Sequence, residues 1–196
     1  MNDSVAVTVG AWRAGDGTAV PFREATVAWA LAAHTELAET ATGYGHFVTV
    51  NELAERVQEV SGVHTEAPTR TWMDAILRKV ARRCHRAGEP PLPSLCVRQN
   101  HTVGDAYKYV LELAGLPIPA DLELHAAYAR WQCYQFYGAA IPADGGVPPL
   151  TPKVAAKRRM TMTTVAPEAP PEPVRAPVCS QCFIQLPVGG TCYFCA

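Results

Sequence analysis

No apolar run in the chain approaches the roughly 20 residues a membrane-spanning helix requires. The N-terminus also lacks a basic start followed by a hydrophobic core. We therefore expect a cytoplasmic protein with no membrane partner. Net charge is scarce as well: 17 Lys+Arg against 18 Asp+Glu leave -1, so a polyanionic partner must be argued from local patches. Walker-type and Gly-x-Gly-x-x-Gly phosphate loops are missing, and Glu52, Glu55, Glu59 and Glu66 read as capping and solvated-face residues. No enzyme is expected.

The 196 residues suffice for one ordinary domain plus appendages. Of the 7 cysteines, Cys84, Cys96 and Cys133 stand alone within apolar patterns and behave as small buried hydrophobes. The others make two Cys-x-x-Cys pairs, which in a reducing compartment point to metal rather than disulfides.

Residues 1–20 read as an N-terminal strand or tail, because Val5, Val7 and Val9 alternate but Gly10, Gly15 and Gly17 surround them. From Pro21, Phe22, Val27, Leu31, His34, Leu37, Ala38 and Ala41 recur at helical spacing until Gly43. His34 reads there as a partly buried structural histidine. Thr49 and Glu52 spell a capping box, with Val48 and Leu53 as its staple. This opens a second helix that turns Leu53, Val57 and Val60 inward and ends at Gly62. In the third, Trp72, Met73, Ile76, Leu77, Val80 and Cys84 fall in an arc of roughly 140°. Arg78, Lys79, Arg82, Arg83, His85 and Arg86 take the other side, and Gly88, Pro90 and Pro91 stop it.

Leu92 to Arg98 reads as a strand, Asn100-His101 as a turn and Thr102-Val103 as its return. Asp105 then caps a helix up to Gly115. Helix, helix, helix, hairpin is the order of a winged helix-turn-helix domain, here 21–115. Within 116–138, Asp121 caps an additional aromatic helix. Tyr128, Trp131, Tyr134 and Tyr137 suit packing on the first domain, a homodimer contact or stacking on bases. The proline-rich composition of 139–177 reads as a disordered linker carrying Lys153, Lys157, Arg158 and Arg159. The expected fold is thus mainly α with a small β-hairpin, followed by an extra helix, a disordered Pro-rich linker and a C-terminal zinc ribbon at 178–196.

That ribbon rests on Cys179, Cys182, Cys192 and Cys195. Two tight knuckles bring four thiolates to one tetrahedral Zn2+ at about 2.3 Å, with Gly189-Gly190 reversing the chain between them. So short a segment needs the ion to fold, and four thiolates leave no open position, so the zinc is structural. The segment resembles short zinc ribbons, which serve for binding nucleic acid or protein. The paucity of Lys and Arg after Arg175 tilts it toward a protein partner.

The second constellation is the basic third helix. Arg78, Arg82 and Arg86 recur at i, i+4, i+8 with Lys79 and Arg83 beside them, the pattern a recognition helix presents to duplex DNA. Arg98 and His101 would reach the neighbouring backbone from the wing. The alternative is a solvated helix whose C-terminal cations complement the macrodipole.

The run from Val48 through Leu53, Trp72 to Val80, Leu92-Pro-Ser-Leu-Cys-Val-Arg98 and Val103-Gly-Asp-Ala-Tyr107 resembles the winged-helix domain of DNA alkyltransferases and alkyltransferase-like proteins, over about a third of the chain. In that family a Pro-Cys-His-Arg sequence carries the acceptor cysteine. Here Cys96 stands in a similar region between Leu95 and Val97-Arg98, and Cys84-His85-Arg86 lies one element too early. What the resemblance implies is the fold and the DNA-facing helix. The expected function is a non-enzymatic DNA-binding regulatory or accessory protein. A protein-interaction adaptor is the rival, and a repair or modification factor using Cys96 the third reading.

Overall fold

The computed structural model describes residues 10–164, of which 162–164 are described by backbone alone. Its architecture is mainly helical, with small strand pairings at the edges. β1 (Ala11–Arg13) pairs antiparallel with β2 (Ala19–Val20) and with β4 (Val63–Thr65). The expected N-terminal strand at Val5 to Val9 lies outside the described residues.

α1 (Phe22–Ala41) is the central helix, packed against α2 (Val50–Ser61) and α3 (Thr69–Ala87). Its buried face is Ala25, Trp29, Ala32, Ala33, Leu37 and Ala41. Three residues expected inside, Phe22, Val27 and Leu31, are exposed. Polar and apolar residues are interspersed around the whole helix, so spacing alone selects no face, and packing decides which side neighbours approach. Trp29 holds the centre. Its Nε1 donates to the Val63 carbonyl at 2.7 Å, and its ring lies 4.5 Å from that of Trp72.

The capping box opens α2 as expected. Thr49 N–H donates to Glu52 Oε2 at 2.8 Å, and Glu52 N–H returns to Thr49 Oγ1 at 3.4 Å. Leu53 and Val57 are buried, but Val60, expected inward, is exposed in the last turn. Gly62 at φ 63° closes the helix in the left-handed conformation that glycine adopts without strain.

The strand expected over Leu92 to Arg98 is mostly a 3-10 turn, Leu92–Leu95. Pro93 has no N–H for a ladder, and all four turn residues are buried, so nothing alternates. Only β5 (Cys96–Val97) is extended, and it pairs parallel with β3 (Val48–Thr49), ahead of α2. The expected hairpin is reduced to one antiparallel bridge, Val97 to Val103, around a turn in which Arg98 N–H donates to the Thr102 carbonyl at 2.8 Å.

α4 (Asp105–Leu113) packs on α3. α5 (Leu122–Phe136) packs on the 3-10 turn and α1, with Asp121 capping it through Leu124 N–H at 3.0 Å. Cys133 and Tyr134 join the core while Tyr128 and Phe136 stay exposed.

Of the linker expected over 139–177, residues 139–164 are described. Tyr44 Oη donates to the Val147 carbonyl at 2.6 Å, Trp131 Nε1 to Gly145 O at 3.0 Å and Arg130 Nη2 to Pro149 O at 3.3 Å. α6 (Pro152–Thr164) follows, with Thr151 and Val154 buried. Individual hydrogen bonds to loop carbonyls hold this strap, and they need no hydrophobic period. Residues 165–177 and the expected zinc ribbon lie outside the described residues.

No helix among the described residues is long and apolar enough to cross a membrane.

Candidate nucleic-acid interface

α3 is anchored by one face and displays the other. Trp72, Met73, Ile76, Leu77, Val80, Ala81 and Cys84 are buried, matching the expected arc and fixing the helix's rotation. Gly88 at φ 68° caps it, and His85 and Arg86 occupy the last turn, where cations meet the negative end of the macrodipole. The expected contact residues then fall on two flanks.

On the flank facing α4 the cations are held. Arg78 Nε donates to Asp74 Oδ2 at 2.7 Å, and its guanidinium lies 4.9 Å from the Tyr109 ring centroid. Arg82 lies 5.9 Å from the same ring. One turn back along α4, Asp105 accepts from Arg98 at 2.9 Å and from Lys108 at 2.8 Å. The Lys108 hydrogen bond, with the Arg98 charge added and burial opposing, holds the Asp105 carboxyl below its ordinary value. Asp105 and Tyr109, at i and i+4, share one face of α4. That face links the Arg98 turn to the Arg78–Arg82 row.

On the flank facing α1, Lys79, Arg83 and Arg86 border a shallow groove whose other wall is the exposed Val27 and Leu31. Among the described residues, Lys79, Arg82, Arg83 and Arg86 lie within 4.0 Å of no carboxylate. Arg86 Nε donates only to the Arg82 carbonyl, at 3.3 Å.

His101 lies in the same turn as Arg98 and is partly buried. It occupies a left-handed turn position at φ 64°, and its ring sits 5.0 Å from Phe47. Its carbonyl accepts from Thr151, and its Nδ1 is buried with no partner among the described residues. It supports the turn from within, while Arg98 is exposed. Sequence reasoning missed Lys108 and Tyr109 and expected Asp105 as the cap of α4, whereas Gly104 holds the cap position with no side-chain bond and Asp105 sits in the first turn. Cys179, Cys182, Cys192 and Cys195 lie outside the described residues.

The lone cysteines are buried, as expected. Burial pushes the Cys84 thiol up to about 11 and those of Cys96 and Cys133 up to about 12, so at neutral pH all three are protonated and weak nucleophiles. Cys84 also belongs to the one cluster with metal-ligand chemistry among the described residues: His34, Cys84 and Glu89, whose ligand atoms lie within 4.8 Å of one another. Cys84 and Glu89 line a cavity of about 320 Å³ together with Tyr107 and His125, whose side chains share a 2.7 Å hydrogen bond.

No family model matches the chain, and no curated protein or solved structure is significantly similar to it.

Proposed function

We propose that the protein is a non-enzymatic DNA-binding accessory or regulatory factor, with α3 lying against duplex DNA and Cys179, Cys182, Cys192 and Cys195 holding a structural zinc ion near the C-terminus. One observation carries this reading. Arg82 and Arg83, with Arg86 one turn on, are exposed along α3, with no carboxylate within 4.0 Å among the described residues, in a chain of net charge -1. Leaving cations unpaired in a near-neutral chain concentrates positive field on one ridge, and polyanion backbones are bound chiefly through such contacts. Arg78 and Arg98, steadied through α4, extend the ridge toward the Arg98 turn. The order α1, α2, α3 followed by a tight turn suits a winged helix, and the resemblance to alkyltransferase-like domains points the same way. The protonated state of buried Cys96 speaks for a binding role over alkyl transfer.

A second reading has its own support. Val27 and Leu31 lie exposed beside the same cations, a pairing that suits an acidic amphipathic segment of a protein partner. Two variants separate the readings. Arg82→Glu with Arg86→Glu should abolish the mobility shift of a short random duplex, while Val27→Ser with Leu31→Ser should leave it unchanged. A normal shift in the charge-reversal variant would overturn the DNA reading.

A further inference from the structure

His34 on α1, Cys84 on the last turn of α3 and Glu89 just beyond it belong to separate stretches of chain, yet their Nε2, Sγ and carboxylate oxygen converge within 4.8 Å. We propose that these three side chains form a binding site for a divalent transition-metal ion of the zinc class, distinct from the cysteine pairs near the C-terminus.

The backbone builds the site. With Gly88 in the left-handed conformation, Glu89 N–H reaches back to the Cys84 carbonyl at 3.0 Å, the six-to-one bond of a Schellman turn. That bond folds Glu89 over the last turn of α3, above Cys84. α1, packed along α3, brings His34 to the same point, where its Nε2 lies 2.8 Å from Glu89 Oε2. Tyr137, at the end of α5, donates to that oxygen at 3.2 Å, the outer contact that orients a ligating carboxylate.

The chemistry of the set is selective. Imidazole, thiolate and carboxylate together suit a borderline ion such as zinc, at about 2.0–2.3 Å from each donor. A tetrahedron of that size separates its corners by about 3.3–3.8 Å, so closure requires the donors to shift by about an ångström. Glu89, whose side chain keeps 21% of its exposure against 12% for His34, is the arm free to move. Binding forms metal–sulfur, metal–nitrogen and metal–oxygen bonds, breaks the hydrogen bond from His34 Nε2 to Glu89 as the imidazole proton moves to Nδ1, and releases the Cys84 thiol proton to solvent. Thiolate and carboxylate then balance the dication, so the buried complex carries no net charge. Three protein ligands leave one position open, and the cavity lined by Cys84 and Glu89 gives water or a small donor molecule access to it.

This site is independent of the DNA reading. It is tested with full-length protein titrated with cobalt(II), reading thiolate-to-metal absorption and bound-metal stoichiometry. Removing the terminal pairs with Cys182→Ala and Cys195→Ala should leave one ion with a single-thiolate spectrum. Adding Cys84→Ala or His34→Gln should remove that ion. In the same terminal variant, zinc should raise the Tm, and His34→Gln should cancel the rise. A full chain that binds one ion with a single-thiolate spectrum abolished by Cys84→Ala would support this site while discarding the terminal one. A terminal variant that is folded by circular dichroism and shows neither cobalt absorption nor a zinc-dependent Tm would overturn the proposal.

Discussion

The two flanks of α3 carry the same kind of side chain under opposite conditions. Facing α4, Arg78 is tied to Asp74 and Tyr109, and nearby Arg98 is tied to Asp105. Facing α1, Lys79, Arg83 and Arg86 stand beside exposed Val27 and Leu31, and no carboxylate among the described residues lies within 4.0 Å of them. A paired arginine is pre-positioned, and part of its field is cancelled. A cation with no carboxylate in contact keeps more of its field, though the Arg83 charge still acts on Glu89, and it must lose side-chain freedom on contact, up to about 2 kcal/mol for a long cationic chain. Only the combination gives both orientation and attraction, so the ridge is best understood as a guided edge and an attracting edge on one rigid helix.

The rigid helix is the first thing to break. Trp72→Ala removes the ring tilted against Trp29 and should lower stability by about 3–5 kcal/mol, disabling both flanks together; denaturant unfolding measures it. Next, Arg83→Ala with Arg86→Ala should lower stability by no more than about 1 kcal/mol, the contribution of a last-turn cation, and flatten the salt dependence of duplex binding by about two units of slope, one for each phosphate that no longer meets a cation. On the guided edge, Asp74→Asn should tighten duplex binding several-fold by releasing Arg78. Tyr109→Ala removes a cation–π interaction of about 0.5–1 kcal/mol at an exposed site, which should weaken binding several-fold with no change in charge.

The smallest effect on duplex binding lies far from both flanks. The hydrogen bond from the Thr49 backbone N–H leads in holding the Glu52 carboxyl below its ordinary value. A carboxyl depressed in the folded state stabilises fully above its unfolded value of about 4.3 and loses that contribution as pH falls through the lower folded value. Thr49→Ala keeps that backbone bond but removes the hydroxyl that accepts from Glu52 N–H and donates to Glu52 Oε2, and should cost about 1 kcal/mol at neutral pH. Glu52→Gln should flatten the acid side of the Tm profile, with duplex binding at neutral pH unaltered.

What could be read directly was local. The capping box at Thr49 and Glu52, the αL stops at Gly62 and Gly88 and the buried arc of α3 each rest on a few neighbouring residues whose physics does not depend on distant partners. α1 resisted because its polar and apolar residues are interspersed all round it, so the exposure of Val27 and Leu31 follows from packing that spacing does not encode. Leu92 to Leu95 looked extended, but burial on all sides and Pro93 favour a tight turn. The strap from residue 139 is held by hydrogen bonds such as Tyr44 to Val147 and Thr151 to His101, which leave no pattern in either segment. The same holds for His34 and Glu89, 55 positions apart, and for the role of Tyr109, visible only once α4 lies beside α3.

The most direct test is fluorescence anisotropy of the full-length protein with labelled random duplex DNA across a salt series. If Lys79, Arg82, Arg83 and Arg86 each meet a phosphate, the logarithm of the association constant should fall against the logarithm of salt with a slope of about -3.6. Absence of binding at low salt, or binding indifferent to salt, would contradict a DNA-facing α3.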